Sequence, residues 1–385
     1  MAQVDARRYG TSVDEISWRE DGRDHRVRWR SESGAPPPRR VVVADDETRA
    51  DDAYRLACEG TALLWRGDFQ NARQLLKAMA RRIDRPPRRR RHKPEPDRAQ
   101  AFHLYRQARA QRARTLGMLL IPFDPGHVIP LRRAPDVQDA CTEAYGTDDQ
   151  PYITSLRELL GLVGAHEWRE KGVPIPALGS DRVHPHYGVF SPIRGEYVDL
   201  VGEAPLPPTK TAFDVGTGTG VLAAVLARRG IEHVVATDQD PRALVCAQEN
   251  VDRLEVNVEV VQADLFPDGR AGLAVCNPPW VPAKPSTPLE HAVYDPGSRM
   301  LRGFLSGLAG HLEPGGEGWL ILSDLAEHLG LRTRDELLEM IASSGLRVAG
   351  RLDTAPRHPR AADPDDPLHA ARAAETTSLW RLTAG

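Results

Sequence analysis

Cysteine, long apolar runs and lysine are all scarce in this chain of 385 residues. Cysteine occurs four times without paired spacing, which favours reduced thiols over a disulfide framework or a zinc site. No apolar run approaches the roughly 18 residues that a membrane-spanning helix requires. The segment from Met1 to Arg30 is charged and lacks the apolar stretch of a secretory signal, so we expect a cytoplasmic protein without a membrane partner. The four cysteines are Cys58, Cys141, Cys246 and Cys276.

Charge is nearly balanced overall but unevenly distributed. The chain has 51 basic and 54 acidic residues, a net charge of −3. Residues 81–114 hold twelve arginines and one lysine against three acids, a local balance of +10. Such a segment can contact nucleic-acid phosphates or can be a solvated linker, and no RNA-binding motif accompanies it. The candidate contact residues are Arg88, Arg89, Arg90, Arg91, Arg106 and Arg109.

A glycine loop, residues 214–220, lies between an apolar strand and an apolar helix. It reads Asp-Val-Gly-Thr-Gly-Thr-Gly and precedes an apolar run that begins at Val221. Glycine permits positive φ angles and close approach of a ligand, and the following helix offers unpaired N–H groups. Val221 stands where a dinucleotide fingerprint has its third glycine, and an acid at the strand end suits an ammonium better than a pyrophosphate. The candidate binding residues are Asp214, Gly216, Thr217, Gly218 and Gly220.

Acids also end the next two predicted strands. The strand that begins at His233 ends in Asp238, 20 residues after Gly218, where two carboxylate oxygens can accept both hydroxyls of a ribose. The strand that begins at Val258 runs into Asp264. Each acid alone can be a solvent-facing loop carboxylate, but acids at three successive strand ends favour a ligand with nucleoside character.

The sequence Asn-Pro-Pro-Trp follows the fourth predicted strand, 57 residues after Gly220. A side-chain carbonyl and a backbone carbonyl can accept both N–H bonds of an amide or amine nitrogen and favour its pyramidal form, whose lone pair is free. Two prolines stiffen the loop, and the indole offers a flat stacking face. For the tetrapeptide alone, a rigid turn is the alternative. The candidate catalytic residues, which would act by orientation and electrostatics, are Asn277, Pro278, Pro279 and Trp280.

These motifs, in this order and at this distance, resemble those of the class I S-adenosylmethionine (SAM)-dependent methyltransferases. Within that class the chain resembles the small-domain N-methyltransferase branch, which includes the HemK/PrmC glutamine methyltransferases and the RsmC/RsmD-type rRNA guanine methyltransferases. The resemblance covers the chain from about Tyr187 to the end. It implies SAM as the methyl donor and S-adenosyl-L-homocysteine as the product. The strand and helix patterns predict a doubly wound, Rossmann-like α/β sheet of seven strands.

The resemblance also implies cofactor contacts outside the glycine loop. The acid after the third strand would lie beside the adenine, and a segment before the glycine loop would close over the cofactor. Trp280 stands where the glutamine methyltransferases usually carry Tyr, and their Pro-Arg-Pro-Glu-Thr-Glu string is absent. The acceptor is therefore open between a protein side chain and an RNA base. The residues implied are Asp238, Gln239, Asp264, Leu265, Phe190 and Pro192.

The N-terminal half is predicted to be mostly helical. Residues 1–44 are interpreted as a charged, peripheral segment. Residues 45–175 carry apolar residues at helical spacing, and the resemblance to the HemK/PrmC layout suggests a substrate-recognition domain, interrupted by a basic linker at 84–96. Residues 176–385 are expected to form the methyltransferase domain. The pair His184 and His186 has no cysteine or acid cluster nearby, so we expect no metal site.

Three functions are compatible with these patterns. The leading hypothesis is an N-methyltransferase that acts on a protein or an RNA. A biosynthetic enzyme that methylates a small molecule, or uses SAM in another way, would have the same fold. A non-catalytic SAM-binding regulator would predict a damaged catalytic loop, whereas this loop is intact.

Overall fold

The computed structural model describes residues 14–85, 97–285, 290, 292–357, 363–364 and 366–385. The chain divides into two units. The N-terminal unit comprises Met1–Pro94 and Arg106–His166, and the C-terminal unit comprises Glu95–Tyr105 and Glu167–Gly385. The domain limits expected at 44/45 and 175/176 stay predictions.

Six strands form one sheet in the N-terminal unit. They are β1 (Glu15–Glu20), β2 (Arg23–Trp29), β3 (Arg40–Ala44), β4 (Thr61–Trp65), β5 (Leu119–Phe123) and β6 (Tyr152–Ser155). Their order across the sheet is β1-β2-β6-β5-β4-β3. The pairs β3–β4 and β4–β5 are parallel, whereas β5 and β6 are antiparallel. Because parallel neighbours need crossover connections, helices lie between these strands along the chain.

Five helices contain residues of this unit. They are α1 (Ala50–Cys58), α2 (Phe69–Ile83), α3 (Arg98–Leu116), α4 (Gln138–Tyr145) and α5 (Leu156–Lys171). Both α3 and α5 also contain residues of the C-terminal unit. Aspartate caps begin two of the helices: Gln70 N donates to Asp68 at 2.9 Å, and Gln100 N donates to Asp97 at 2.8 Å. Side-chain oxygens at this position satisfy otherwise unpaired N–H groups.

The expectation of a mostly helical N-terminal half missed this sheet. β4 and β5 are buried along their whole length and apolar apart from Thr61, and β4 lies in the stretch 45–175 that was predicted to be mostly helical. A short apolar run does not distinguish a buried strand from a buried helix. The segment 1–44, interpreted as peripheral, contains β1, β2 and β3, and in β1 the buried Ile16 and Trp18 alternate with exposed residues.

Seven of the strands in the C-terminal unit form its main sheet. The strands are β7 (Val173–Pro174), β8 (Arg182–Val183), β9 (Thr211–Val215), β10 (His233–Asp238), β11 (Val258–Gln262), β12 (Ala271–Cys276), β13 (Leu312–Ser323), β14 (Leu346–Thr354) and β15 (Thr377–Ala384). The main sheet has the order β11-β10-β9-β12-β13-β15-β14, while β7 and β8 form a separate pair. The first five strands of that order are parallel, and β15 is antiparallel to both neighbours. The predicted seven-stranded, doubly wound sheet is confirmed.

Helices cover both faces of this sheet. They are α6 (Glu196–Glu203), α7 (Val221–Arg228), α8 (Pro241–Arg253), α9 (Arg299–His311), α10 (Leu325–His328), α11 (Arg334–Ser343) and α12 (His369–Ala373). Alternate strand residues point to opposite faces: Ala212 and Val275 pack with α6 and α7, whereas Phe213 and Ala274 pack with α9 and α11. With both faces covered, the polar side chains gather at the strand ends.

All four cysteines are free thiols; Cys58 is exposed and the other three are buried. Within the described part of the chain, no helix combines the length and the apolar character needed to cross a membrane. The cytoplasmic location stays a prediction.

Candidate active site

The carboxyl ends of β9 and β12 lie where the order of the main sheet reverses. From β9 the chain proceeds to β10 and β11 on one side and then crosses to β12 on the other. The strand register places Val275 beside Asp214 and Cys276 beside Val215. Asn277 therefore follows immediately beyond the end of β9. Ligands of doubly wound sheets bind in the crevice at such a reversal.

Backbone hydrogen bonds hold the glycine loop against the end of β10. The N–H groups of Gly216 and Thr217 donate to the carbonyl of Thr237 at 2.9 and 2.8 Å. Gly220 has φ +79°, and a Cβ there would lie 3.2 Å from the Cα of Ala247 on α8. Only glycine satisfies both the left-handed backbone and the close helix contact. The loop is thus a rigid connection between β9, β10 and α8.

Asp214 is buried beneath the loop. Its Oδ2 accepts hydrogen bonds from the Thr217 hydroxyl at 2.6 Å and from Ala223 N at 3.0 Å. Burial raises the pKa of Asp214 to about 6, the two hydrogen bonds oppose that rise, and the nearby charge of Asp238 adds to it. A buried carboxylate of this kind favours a cation as its ligand.

Asp238 ends β10 and holds the middle of the glycine loop. Its Oδ2 accepts a hydrogen bond from Gly218 N at 3.1 Å, and its Oδ1 accepts one from Asp240 N at 2.9 Å. Burial raises the pKa of Asp238 as well. Since each carboxylate oxygen has a second lone pair, both remain able to accept a further donor. The next residue, Gln239, is exposed.

The acid after β11 lies in a different environment. Asp264 is exposed and accepts two hydrogen bonds from Arg299 Nη2, at 3.0 and 2.8 Å. Leu265, the next residue, has φ +78°, and its carbonyl accepts a hydrogen bond from the Thr237 hydroxyl. That bond ties the loop after β11 to the end of β10, where the glycine loop is also held.

In the predicted catalytic loop, a hydrogen bond joins the first and last residues. Trp280 Nε1 donates to Asn277 Oδ1 at 2.8 Å. One lone pair of the oxygen that was predicted to hold the substrate nitrogen is therefore already engaged. Pro278 is buried, whereas Asn277, Pro279 and Trp280 are half-buried. The preceding Cys276 is fully buried, and burial raises the pKa of its thiol well above its ordinary value. A protonated, enclosed thiol is a core residue rather than a nucleophile.

Residues distant in sequence support this loop. Val281 packs in an apolar cluster with Phe102 of α3, Leu325 of α10 and Leu329, and Trp280 packs against the same cluster. The chain returns to the loop at Asp295, whose N–H donates to the carbonyl of Val281 at 2.9 Å.

Asp295 also caps the following helix. Its carboxylate is buried and accepts a hydrogen bond from Met300 N at 2.9 Å. Sequence reasoning did not assign a role to Asp295; its position in a Tyr-Asp-Pro-Gly string directly before a helix was the available signal.

The segment before α6 packs against the core of the C-terminal unit. Phe190 packs on the core cluster that contains α7, and Pro192 is buried. The two histidines of this segment are both hydrogen-bonded: His184 Nδ1 contacts the carbonyl of Arg169 at 2.6 Å, and His186 Nε2 contacts Glu249 at 2.8 Å.

Two of the six arginines predicted to contact an acceptor lie among the residues that the structure describes. Arg88, Arg89, Arg90 and Arg91 lie outside the described residues. Arg106 and Arg109 lie on α3, where Arg106 is half-buried and Arg109 is exposed.

One further acid near the catalytic loop was missed by sequence reasoning. Glu375 lies two residues before β15, is only 3% exposed, and accepts a hydrogen bond from the Ser323 hydroxyl at 2.7 Å. Burial raises its pKa. No motif surrounds Glu375, and a single acid in a stretch that reads as a loop gives no sequence signal.

The family model of the methyltransferase small domain matches residues 182–331. This part of the chain is similar to the methyltransferase small domain. The match includes the glycine loop, the three acids at the strand ends and the Asn-Pro-Pro-Trp motif. The resemblance to the small-domain branch of class I methyltransferases is thereby confirmed.

Relatives of the methyltransferase small domain align with limited parts of the chain. The release factor glutamine methyltransferase of Cereibacter sphaeroides is 34% identical over 171 residues, covering 42% of this chain and 58% of that protein. The ribosomal protein L11 methyltransferase of Clostridium perfringens is 44% identical over 70 residues, covering 17% of this chain and 22% of that protein. The chain thus spans less than two thirds of either relative.

One solved structure also aligns with part of the chain. The SAM-dependent methyltransferase from Geobacter sulfurreducens, in complex with S-adenosyl-L-homocysteine, is 19% identical to this chain with a TM-score of 0.35, and the alignment covers 54% of this chain and 96% of that one.

Proposed function

We propose that the protein is a SAM-dependent N-methyltransferase whose acceptor is an amide nitrogen of a protein, such as a glutamine side chain. The single observation that carries the proposal is the position of Asn277, immediately beyond the end of β9 and beside the glycine loop. A protein acceptor is supported by the names of the two curated relatives, one acting on a release factor and one on ribosomal protein L11.

The residues at the ends of β9 and β10 fit SAM. Both oxygens of Asp238 keep a lone pair for a ribose hydroxyl, and the buried carboxylate of Asp214 suits the ammonium of the methionine part. A Cβ added at Gly218 would meet nothing within 4 Å, so the loop is open on that side. SAM, when bound, supplies a methyl group on a positively charged sulfur. The remaining contacts proposed for it are Gly216, Thr217, Gly220, Gln239, Asp264, Leu265, Phe190 and Pro192.

The catalytic loop would act on the acceptor nitrogen through oxygen atoms. Asn277 Oδ1 and the carbonyl oxygen of Pro278 accept its two N–H bonds, which orients the nitrogen and favours the form whose lone pair is free. The indole N–H of Trp280 uses one lone pair of Asn277 Oδ1, which leaves the second lone pair for an N–H of the acceptor. Two prolines keep the loop from rearranging, so the contribution is mainly orientation and electrostatics.

The proposal is tested by transfer of radiolabelled methyl from SAM to a release factor and to ribosomal protein L11. We expect label in glutamine side chains of the acceptor protein. N277A should lower transfer roughly 100-fold or more while the Kd for SAM stays within about threefold of wild type. D238A should instead raise the Kd for SAM roughly 100-fold or more, because two hydrogen bonds to a charged group are lost.

The matched control is Asn257→Ala, an exposed asparagine that donates to the carbonyl of Glu232 at 3.0 Å, which should change neither quantity. Equal loss of SAM binding in N277A and D238A contradicts this division of roles. Label from a cell extract that appears in RNA and vanishes with nuclease contradicts the protein acceptor. In that case the arginines at 88–91, with Arg106 and Arg109, become the proposed contact with phosphates.

A further inference from the structure

Glu375 has one engaged and one unengaged carboxylate oxygen. The Ser323 hydroxyl donates to Oε1 at 2.7 Å, and Arg194 Nη1 lies 3.8 Å from the same atom. Oε2 is enclosed and has no hydrogen-bond partner among the residues that the structure describes. A buried acceptor without a donor destabilises the fold, so a ligand that donates a hydrogen bond to this oxygen would be favoured.

Glu317, another buried glutamate of this sheet, shows the contrast. Arg381 donates to both of its oxygens, and Trp319 Nε1 donates to Oε2 at 3.0 Å. These bonds lower the pKa of Glu317, whereas burial raises the pKa of Glu375. Glu317 is fully satisfied by the fold, as a purely structural acid should be, and Glu375 is not.

Strand register locates Glu375 near the catalytic loop. Cys276 at the end of β12 lies beside Leu320 of β13, and Ser323 at the end of β13 lies beside Thr377 of β15. With ~4.8 Å between strands and ~3.3 Å per residue, the backbones of Asn277 and Ser323 are roughly 8 Å apart. Side chains at these two positions can contact one bound molecule.

Direct contacts follow the same path. The Ser323 hydroxyl, which donates to Glu375, accepts a hydrogen bond from Leu325 N at 3.0 Å. Leu325 belongs to the apolar cluster against which Trp280 packs. Glu375 is therefore connected to the catalytic loop through two residues, Ser323 and Leu325.

The position of Glu375 in the main sheet indicates which bound molecule can contact its Oε2. The proposed SAM contacts in the glycine loop and at the following acids belong to β9, β10 and β11, on one side of β12. Glu375 lies beyond β13, on the other side, and outside the residues 182–331 that match the methyltransferase small domain. A molecule held there is the acceptor rather than the cofactor.

The surroundings favour a neutral N–H donor. The positive charges of Arg194 and Arg372 act on Glu375 and oppose the effect of burial on its pKa, so a further cation is not required for charge balance. The hydroxyl of the neighbouring Thr377 is also enclosed without a partner among the described residues. Polar groups of this kind suit the amide groups of a polypeptide.

We propose that Glu375 is an acceptor-binding residue whose Oε2 accepts a hydrogen bond from an amide N–H of the acceptor polypeptide, next to the nitrogen that is methylated. This inference rests on the proposed function. Ser323 is the positioning residue that holds the carboxylate in place.

The test compares E375M, which keeps the side-chain volume but has no acceptor oxygen, with the wild-type protein. The probe is the release factor, or the protein fraction that wild type labels. We expect the acceptor KM of E375M to rise roughly tenfold or more, as for loss of a hydrogen bond to a charged group, while the Kd for SAM stays within twofold. E375Q keeps an oxygen at this position and should lose less.

The matched control is E317M, which should lower the Tm and leave the acceptor KM unchanged. An E375M protein with wild-type acceptor KM, or with an equal rise in the Kd for SAM, overturns the inference while the proposed function stands. If E375M does not fold, S323A decides: it should raise the acceptor KM several-fold, and an unchanged KM overturns the inference. A wild-type protein that labels no protein overturns the proposed function and this inference together.

Discussion

At the scale of single residues, the buried carboxyl of Asp214 makes the stability of the fold depend on pH. Its carboxyl is 1% exposed, and its pKa rises from an ordinary value of 3.8 to about 6. An acid whose pKa is higher in the folded state costs no stability below pH 3.8, costs progressively more up to pH 6, and carries its full cost above that. At about 1.4 kcal/mol for each pH unit, the full cost is ~3 kcal/mol.

The variant D214N tests this cost. An amide in place of the carboxyl has no charge to bury, so the free energy of unfolding of D214N relative to wild type should increase by ~1 kcal/mol between pH 5 and pH 7.5. Urea unfolding at both pH values measures the difference. The matched control is the same substitution at the exposed Asp268. A pH-independent difference for D214N would show that Asp214 titrates as it does in the unfolded chain.

At the scale of elements, two glycines of the glycine loop are required for different reasons. Gly218 and Gly220 both have positive φ, +57° and +79°, a conformation that costs other residues ~1–2 kcal/mol. Only at Gly220 would a Cβ also approach a backbone atom of α8. A side chain at position 218 would have free space around it, whereas a side chain at position 220 would contact α8.

Alanine at these two positions should therefore have different effects. G220A should lower the free energy of unfolding by at least ~1 kcal/mol more than G218A, because α8 must shift. G218A should remain folded but bind SAM more weakly, since its methyl group fills the open side of the loop. Thermal unfolding and calorimetric titration with SAM measure the two effects. Equal stability of the two variants, or wild-type SAM binding by G218A, would contradict this assignment.

Some strands of the fold could be predicted from sequence patterns and others could not. The seven strands of the main sheet were predicted, because turns and acids mark the strand ends. β4 was not predicted, because its four apolar residues carry no period that separates strand from helix. In β1 an alternating pattern was present but was outweighed by the surrounding charge.

The candidate site was predictable to a similar extent. The glycine loop and Asn277 carry motifs and were indicated in advance. Glu375 carries none: its proximity to Asn277 arises from the pairing of β15 with β13, a contact between residues far apart in sequence. The engagement of Asn277 by Trp280 depends on a side-chain orientation that residue spacing does not specify.

At the scale of the whole molecule, the two units are not consecutive stretches of chain. Residues 95–105 belong to the C-terminal unit although some 60 residues of the N-terminal unit follow them. Phe102, 2% exposed, packs in the cluster that supports the catalytic loop. A boundary drawn near residue 175 would remove part of the support of the loop.

Phe102→Ala should accordingly destabilise the C-terminal unit by ~3–5 kcal/mol, the usual cost of truncating a buried phenylalanine. Hydrogen exchange of the amides of α10, whose Leu325 belongs to the same cluster, should become faster. The control is Leu104→Ala on the same helix, where the side chain is 50% exposed. Similar exchange rates in the two variants would mean that α3 contributes little to the C-terminal unit.

The hydrogen bond between Trp280 and Asn277 also bears on how many methyl groups one nitrogen receives. An unmodified amide nitrogen has two hydrogens to offer, and its monomethylated product has one. Because the indole N–H takes one lone pair of Asn277 Oδ1, this oxygen can accept only one N–H of the acceptor nitrogen. On the proposed function, the unmodified nitrogen is held by both Asn277 and Pro278, whereas the monomethylated product can be held by only one of them. The product should therefore be released after a single transfer, and the reaction should end at the monomethyl amide.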